Sequence, residues 1–275
     1  MTRLRSTLLC LLLAFSAGCL DVTTVVNVNK DGSGFVSETT YVSSSFESMM
    51  KDTLVQLGME DAPALQINEE AFRKRAIEMG SDVMFRKAEE ISKDGRAGIR
   101  VIYTFDDINY LRIKTEPHPP LPPGATATKE GTEETPITFR FEEGDIATLT
   151  VLLPQANSDD TWDPMTSASV ASPDDAELEQ IRQIFEGFRV RLILRVDGEI
   201  TDADASFVHL NKKTNKRNLV TLLNMDVGAL LSDEERFREL ATAGPVQDLR
   251  AAKQLLEGFP GISIEDQEEI HISFK

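Results

Sequence analysis

A β-hairpin is predicted by the stretch VTTVVNVNKDGSGFVSETTYV, residues Val22 to Val42. Its first half, up to Asn29, is rich in β-branched residues, which are common in strands because they pack well on a pleated surface. The segment Lys30-Asp31-Gly32-Ser33 has the composition of a tight turn, since glycine adopts positive φ at no steric cost. Residues from Gly34 onward then form the returning strand.

Other parts of the chain also have the alternating apolar residues typical of strands. Further strands are predicted at 83–92 with 98–104, 137–141 with 146–153, 190–196, 205–210 with 218–225, and 262–264 followed by 270–274. Helices are predicted at 44–57, 68–79, 174–188, 232–243 and 245–258. Hairpins rather than single strands alternate with helices. We therefore expect an α+β fold, with a mostly antiparallel sheet built from hairpins and helices packed on one face.

A Pro-rich stretch divides the chain. Residues 117–124 read PHPPLPPG, and the polar, acidic segment that follows has no periodicity. We expect a signal peptide at 1–18, an N-terminal α+β part at 19–114, a loop or linker at 115–136 and a C-terminal α+β part at 137–275. The two α+β parts form either separate units or one continuous domain. The Pro-rich stretch is also compatible with a docking peptide for an aromatic groove.

The N-terminus has the organisation of an export signal. Arg3 and Arg5 form a basic region, and Leu8 to Ala17 is apolar apart from Ser16. This run has the length of a signal-peptide core and is shorter than the roughly 17 residues that a membrane-spanning helix needs. The segment therefore predicts export, with removal of residues 1–18.

The residues Ser16, Ala17, Gly18 and Cys19 resemble the bacterial lipobox, although leucine is usual where Ser16 stands. The resemblance implies cleavage before Cys19, a diacylglyceryl group on its thiol and a palmitoyl group on its amine. Cysteine counting favours this over an ordinary secretory signal with a coincidental cysteine, and an uncleaved anchor is a third alternative. Cys10 lies inside the signal, so Cys19 becomes the only thiol of the mature chain, and a lone exposed thiol is a liability in an oxidising compartment.

Several weaker motifs resemble the LppM-like bacterial lipoproteins, a group of envelope proteins of unknown function. They are Cys19, the Val-rich strand with Lys30–Gly34, the strand 192–196 with Asp197-Gly198, and the strand 218–226. The resemblance implies an α+β fold, an envelope location and contact with lipids or glycolipids. It brings no catalytic residues, and the Pro-rich insertion departs from the pattern.

The composition excludes some partners. The chain has 29 basic and 46 acidic residues, a net charge of −17. Loss of Arg3 and Arg5 with the signal leaves 27 basic residues and a net charge of −19. So acidic a chain repels nucleic acid and anionic headgroups, and we expect no nucleic-acid partner. Without another cysteine, the body has no disulfide and no thiolate metal site.

No catalytic or cofactor motif is evident. His118 lies among prolines, and His209 and His271 lie in predicted strands without a second histidine at ligand spacing. Glu199, Asp202 and Asp204 have alternate spacing that suits Ca²⁺ but lack the glycine and final glutamate of an EF-hand loop. The acidic run 265–269 reads as a solvated turn. We expect no enzyme activity, no cofactor and no metal.

Two functions remain after these exclusions, and a hydrolase is a weaker third. The first is a membrane-anchored envelope lipoprotein with a non-catalytic binding or scaffolding role, whose partners are the membrane, through the Cys19 lipid, and an envelope protein or lipid. The second is a lipoprotein that binds a lipid or another hydrophobic ligand. Leu20, directly after the cysteine, favours the outer membrane over the inner, with the body facing the periplasm or the cell surface.

Overall fold

The computed structural model describes residues 20–42, 67–114, 135–154, 187–233, 235 and 258–275. Within these ranges 56% of the residues lie in strands and 12% in helices, so the described protein is predominantly β. None of its helices has the length and hydropathy needed to span a bilayer.

The strands are β1 (Leu20–Val28), β2 (Gly34–Val42), β3 (Met84–Lys93), β4 (Arg96–Phe105), β5 (Arg112–Ile113), β6 (Ile137–Glu142), β7 (Ala147–Leu152), β8 (Arg189–Val196), β9 (Ile200–Ala203), β10 (Val208–Asn211), β11 (Lys216–Asp226), β12 (Ile262–Ile264) and β13 (Glu269–Phe274). The helices are α1 (Glu69–Met79) and α2 (Val227–Leu231), with a 3₁₀ turn at Ile108–Tyr110.

These strands form two sheets. The large sheet has the order β10-β11-β8-β1-β2-β4-β3, with β12 paired to β11, and the small sheet has the order β5-β6-β7-β13-β9. β1 and β8 are parallel, whereas the other described pairings are antiparallel. Because β8 follows residues 115–136 and β1 precedes them, the large sheet combines strands from both sides of that segment.

The two sheets share one hydrophobic core. Alternate side chains of β1, such as Val26 and Val28, point into it from the large sheet, and Leu149, Ile270 and Ile272 point into it from the small sheet. The last three are fully buried. Alternation of this kind buries one face of each sheet against the other, as in sheet-on-sheet packing.

The predicted α+β fold with helices packed on one face is therefore wrong. The apolar alternation of β6, β7 and β13 indicates one buried face in each strand, but these strands build a second sheet, and that sheet rather than helices covers the large one. The predicted helix at 44–57 lies outside the described residues, as do nearly all residues of those at 174–188, 232–243 and 245–258. Ser232, expected to begin a helix, stands at the C-terminal end of α2.

The helix predicted at 68–79 is confirmed as α1. The side chain of Asn68 accepts a hydrogen bond from the Ala71 amide at 3.1 Å, which caps the N-terminus, and Gly80 ends the helix. Ala76 and Met79 are buried in the core. The helix contacts β3 of the large sheet and β5 of the small sheet, so it closes one side of the core between them.

The hairpins predicted at 22–42 and at 83–92 with 98–104 are confirmed. β1 pairs with β2 in a register that places Val28 opposite Gly34. In the β3–β4 turn Asp94 and Gly95 both have positive φ, 52° and 76°, as a two-residue hairpin turn requires. The last two strands are found where they were predicted, but in different sheets: β12 pairs with β11, and β13 pairs with β7 and β9.

Candidate functional site

The predicted lipidation site, Cys19, lies outside the described residues, but its neighbour Leu20 is the first residue of β1. Leu20 pairs with Val42 and is buried. The chain is thus held in the sheet from the first residue after the cysteine.

Strand register places several other segments at the same end of the large sheet. Tyr41 pairs with Gly98, which lies in β4 two residues after Arg96, the first residue that follows the β3–β4 turn. Asp21 pairs with Arg189 at the start of β8, and Arg189 pairs with Asp226 at the end of β11. We call this end the anchor edge, comprising Leu20, Asp21, Val42, Lys93–Arg96, Arg189, Arg191 and Asp226.

Asp21 is the central charge of the anchor edge. Its side chain is only 6% exposed, and its two carboxylate oxygens lie 3.4 Å from Nη2 of Arg191 and 3.6 Å from Nη1 of Arg96. The Arg96 guanidinium also lies over the Tyr41 ring, 5.5 Å from its centroid, a cation–π arrangement. One buried carboxylate therefore joins three strands, β1, β4 and β8, at the start of β1.

A second ion pair extends this network across the sheet. Nε of Arg189 donates to Oδ2 of Asp226 at 2.8 Å, and Nη2 of the same guanidinium donates to the same oxygen. The other oxygen of Asp226 accepts from the Ala229 amide at 3.0 Å and caps α2. Charge-assisted hydrogen bonds of this kind are stronger than neutral ones, so α2 and β8 are held together at the anchor edge.

Beneath these charges the inner face of the anchor edge is apolar. Leu20, Val22 and Val42 form a small buried cluster, against which Ala97 and Phe188 pack. Leu20 is 5% exposed and Val42 is 2% exposed. The side chain that follows the cysteine is therefore part of the packed interior.

A buried ion pair lies on the inner face of the large sheet. Nη2 of Arg75, from α1, lies 3.4 Å from Oε1 of Glu38 on β2. Their side chains are 11% and 18% exposed. Burial raises the pKa of the Glu38 carboxyl, and the positive charge of Arg75 opposes that shift. Burial and the Glu38 charge also raise the pKa of the neighbouring Tyr103 hydroxyl.

Perturbed pKa values in a cluster can mark an active site. Here the pair links α1 to the sheet, and each charge serves as the partner of the other. Arg75 Nε is buried without a hydrogen-bond partner in the part of the chain that the structure describes. The described geometry therefore assigns Glu38 and Arg75 to the attachment of α1.

An open cleft of about 460 Å³ lies on the outer face of the large sheet, at the end opposite the anchor edge. Phe35, Thr104 and Met84 form one row across β2, β4 and β3, so the small threonine lies between two large apolar side chains. Phe35 is 37% exposed and Met84 is 49% exposed. Ile102 adds to the apolar lining and Arg86, at a β-bulge of β3, supplies a cation.

The histidines are not brought together in the described structure. Nδ1 of His271 lies 3.2 Å from the Thr150 hydroxyl in the small sheet. His209 is exposed on β10 in the large sheet, and His118 lies outside the described residues.

The predicted acidic clusters serve mainly as hydrogen-bond acceptors. Oδ1 of Asp204 accepts from the His271 amide at 2.7 Å, and Oε1 of the buried Glu265 accepts from the Phe207 amide at 3.0 Å. Glu199 and Asp202 are exposed. Within the described ranges no three His, Cys, Asp or Glu side chains are grouped so as to hold a metal ion.

Comparisons with known proteins give one distant likeness. No protein-family model matches the chain, and no curated protein matches it. Among solved structures, the chain is similar to the NMR structure of the folded domain of LppM from Mycobacterium tuberculosis. The two share 9% sequence identity over 77% of this chain and 85% of that chain, with a TM-score of 0.30. So low a TM-score does not establish a common fold, and no property of LppM is transferred to this chain.

Proposed function

We propose that the protein is a bacterial envelope lipoprotein, anchored through a lipid on Cys19, whose body has a non-catalytic binding or scaffolding role. The signal supplies the basic region, the apolar core and the small residues before Cys19. The observation that carries the proposal is the start of β1 at Leu20. A lipid on the preceding residue holds the fold at the bilayer with almost no linker, and Leu20 favours the outer membrane.

Metabolic labelling tests the anchor. Full-length protein is expressed in a bacterium supplied with an alkyne analogue of palmitate. We expect Cys19→Ala to lose the label and either to leave the membrane fraction or to accumulate as precursor. Cys10→Ala is the matched control, because it removes the other cysteine, and it should label like the wild type. Labelling of Cys19→Ala at the wild-type level would contradict the proposal.

The cleft favours a second candidate, the binding of a hydrophobic ligand by the anchored body. Phe35 and Met84 expose large apolar surfaces to a concave site of about 460 Å³, which is within the size range of ligand pockets. Arg86 at the same cleft provides one polar contact for orientation.

Native mass spectrometry of the body, released from its own membrane, tests this second candidate. Bound ligand should appear as added mass that is lost in Met84→Asp. The control is Ile146→Asp, because Ile146 is a similarly exposed apolar residue, at 53%, outside the cleft. An unliganded mass for the wild-type body would contradict ligand carriage and leave the anchoring proposal intact.

A further inference from the structure

The β3–β4 turn reaches farther toward the proposed anchor than the start of β1 does. Gly98 is level with Asp21, through their common partner Tyr41. Leu20 lies one residue beyond that level, and the paired residues Lys93 and Arg96 lie two residues beyond it. At about 3.3 Å per residue, Lys93 and Arg96 extend roughly 3 Å past Leu20. The tip of the turn, Asp94 and Gly95, extends farther.

The turn is also close to β1 in the lateral direction. β4 is two strands from β1 and β3 is three, which at about 4.8 Å per strand gives about 10 and 14 Å. A lipid on Cys19 therefore brings the turn to the same surface of the bilayer.

The charges of the anchor edge differ from those of the whole chain. Among the described residues, the edge carries four cations, Lys93, Arg96, Arg189 and Arg191, and three carboxylates, Asp21, Asp94 and Asp226. This is a small positive excess in a chain with net charge −17. Lys93 is exposed. The three arginines pair with Asp21 or Asp226, and their side chains remain between 31% and 39% exposed. Partly exposed arginine and lysine suit phosphate oxygens.

We infer that the anchor edge is a second membrane contact, at which the β3–β4 turn enters the headgroup layer and Lys93 and Arg96 meet lipid phosphates. The inference rests on the proposed anchor. It fixes the orientation of the body, because the strands of the large sheet then run roughly perpendicular to the membrane plane. The row of Phe35, Thr104 and Met84 in the cleft is eight residue steps from the level of Lys93 and Arg96, so it lies roughly 25 Å from the bilayer.

Single-cysteine labelling tests this orientation, because acylation leaves the mature chain without a free thiol. Lys93→Cys places a thiol at the anchor edge. Lys213→Cys is the matched control, because Lys213 is exposed in the turn between β10 and β11, at the opposite end of the large sheet. Each acylated protein is placed in vesicles of phosphatidylethanolamine and phosphatidylglycerol and treated with a polymer-linked maleimide.

We expect Lys93→Cys to react about tenfold more slowly than Lys213→Cys in vesicles, which corresponds to roughly 1.4 kcal/mol of restricted access. The two cysteines should react at equal rates in the unanchored Cys19→Ala body. If Lys93→Cys and Lys213→Cys react at equal rates in vesicles that carry the protein, the inference of a second membrane contact is overturned and the proposed lipid anchor is not. Failure of the protein to float with vesicles would instead count against the lipid anchor, so the two failures are distinguishable.

Discussion

The carboxylate of Asp21 lies 3.4 Å from the guanidinium of Arg191, and the two residues are separated by 170 positions in the chain. Asp21 stands two positions after Cys19 and only 6% of its side chain is exposed. The contact ties the beginning of β1 to β8, a strand that is parallel to it. A lipid on Cys19 would therefore be attached directly next to a strand of the large sheet rather than through a linker.

Loss of the Asp21 charge should destabilise the body. In Asp21→Asn the guanidinium groups of Arg96 and Arg191 lose their shared counter-ion. We expect the free energy of unfolding to fall by about 1–3 kcal/mol, measured by urea denaturation of the mature chain carrying Cys19→Ala. Asp197→Asn is the control, because Asp197 is exposed, and it should change stability by less than about 0.5 kcal/mol. Equal effects of the two substitutions would show that the contact does not stabilise the edge.

Removal of Arg75 should be more costly, because it leaves Glu38 without its positive partner inside the protein. We expect Arg75→Met to reduce the free energy of unfolding by about 3–5 kcal/mol at pH 7. Arg73→Met is the control on the same helix, since the Arg73–Glu69 pair is 63% and 60% exposed, and it should cost no more than about 1 kcal/mol.

The double variant Glu38→Gln/Arg75→Met tests whether the two side chains interact. Because the second substitution removes the charge that the first leaves unpaired, the combined loss should be smaller than the sum of the single losses, by about 0.5–3 kcal/mol. Strict additivity would contradict the assignment of this pair to the attachment of α1.

The pH dependence of stability should carry the signature of Glu38. Burial raises the pKa of its carboxyl above the ordinary value of 4.5. The folded protein therefore binds this proton more tightly than the unfolded chain does. The resulting stability is fully present below pH 4.5 and is lost as the pH rises through the folded-state pKa. Glu38→Gln has no such proton, so its stability relative to the wild type should rise between pH 4.5 and 7. Urea titrations at several pH values measure this difference, and a constant or falling difference would count against a raised pKa.

Local features of the fold were predictable from the sequence, but the element that packs against the large sheet was not. The turns at Asp31-Gly32 and Asp94-Gly95 and the caps Asn68 and Gly80 act within a few residues, and the elements they delimit are confirmed. Alternating apolar residues indicate that one face of a strand is buried, but they do not say whether a helix or another sheet buries it. The parallel pairing of β1 with β8 joins distant parts of the chain, and no local pattern predicts it.

Part of the candidate site also left a signal in the sequence. Val36, Glu38, Thr40 and Val42 are every second residue of β2, so Glu38 shares the inward face of the other three. A buried charge with a partner could therefore have been expected at Glu38. Asp21 likewise begins a run of β-branched residues. Their partners, Arg75 and Arg191, come from other elements and become neighbours only in the folded chain.

The most direct measurement is the intact mass of the mature protein, extracted from the membrane of a bacterium that expresses the full chain, with fragmentation of its N-terminus. We expect the chain to begin at Cys19 and to carry a diacylglyceryl group on the thiol and a palmitoyl group on the amine. A mature chain that begins at another residue, or one in which Cys19 has a free thiol, would contradict the lipid anchor.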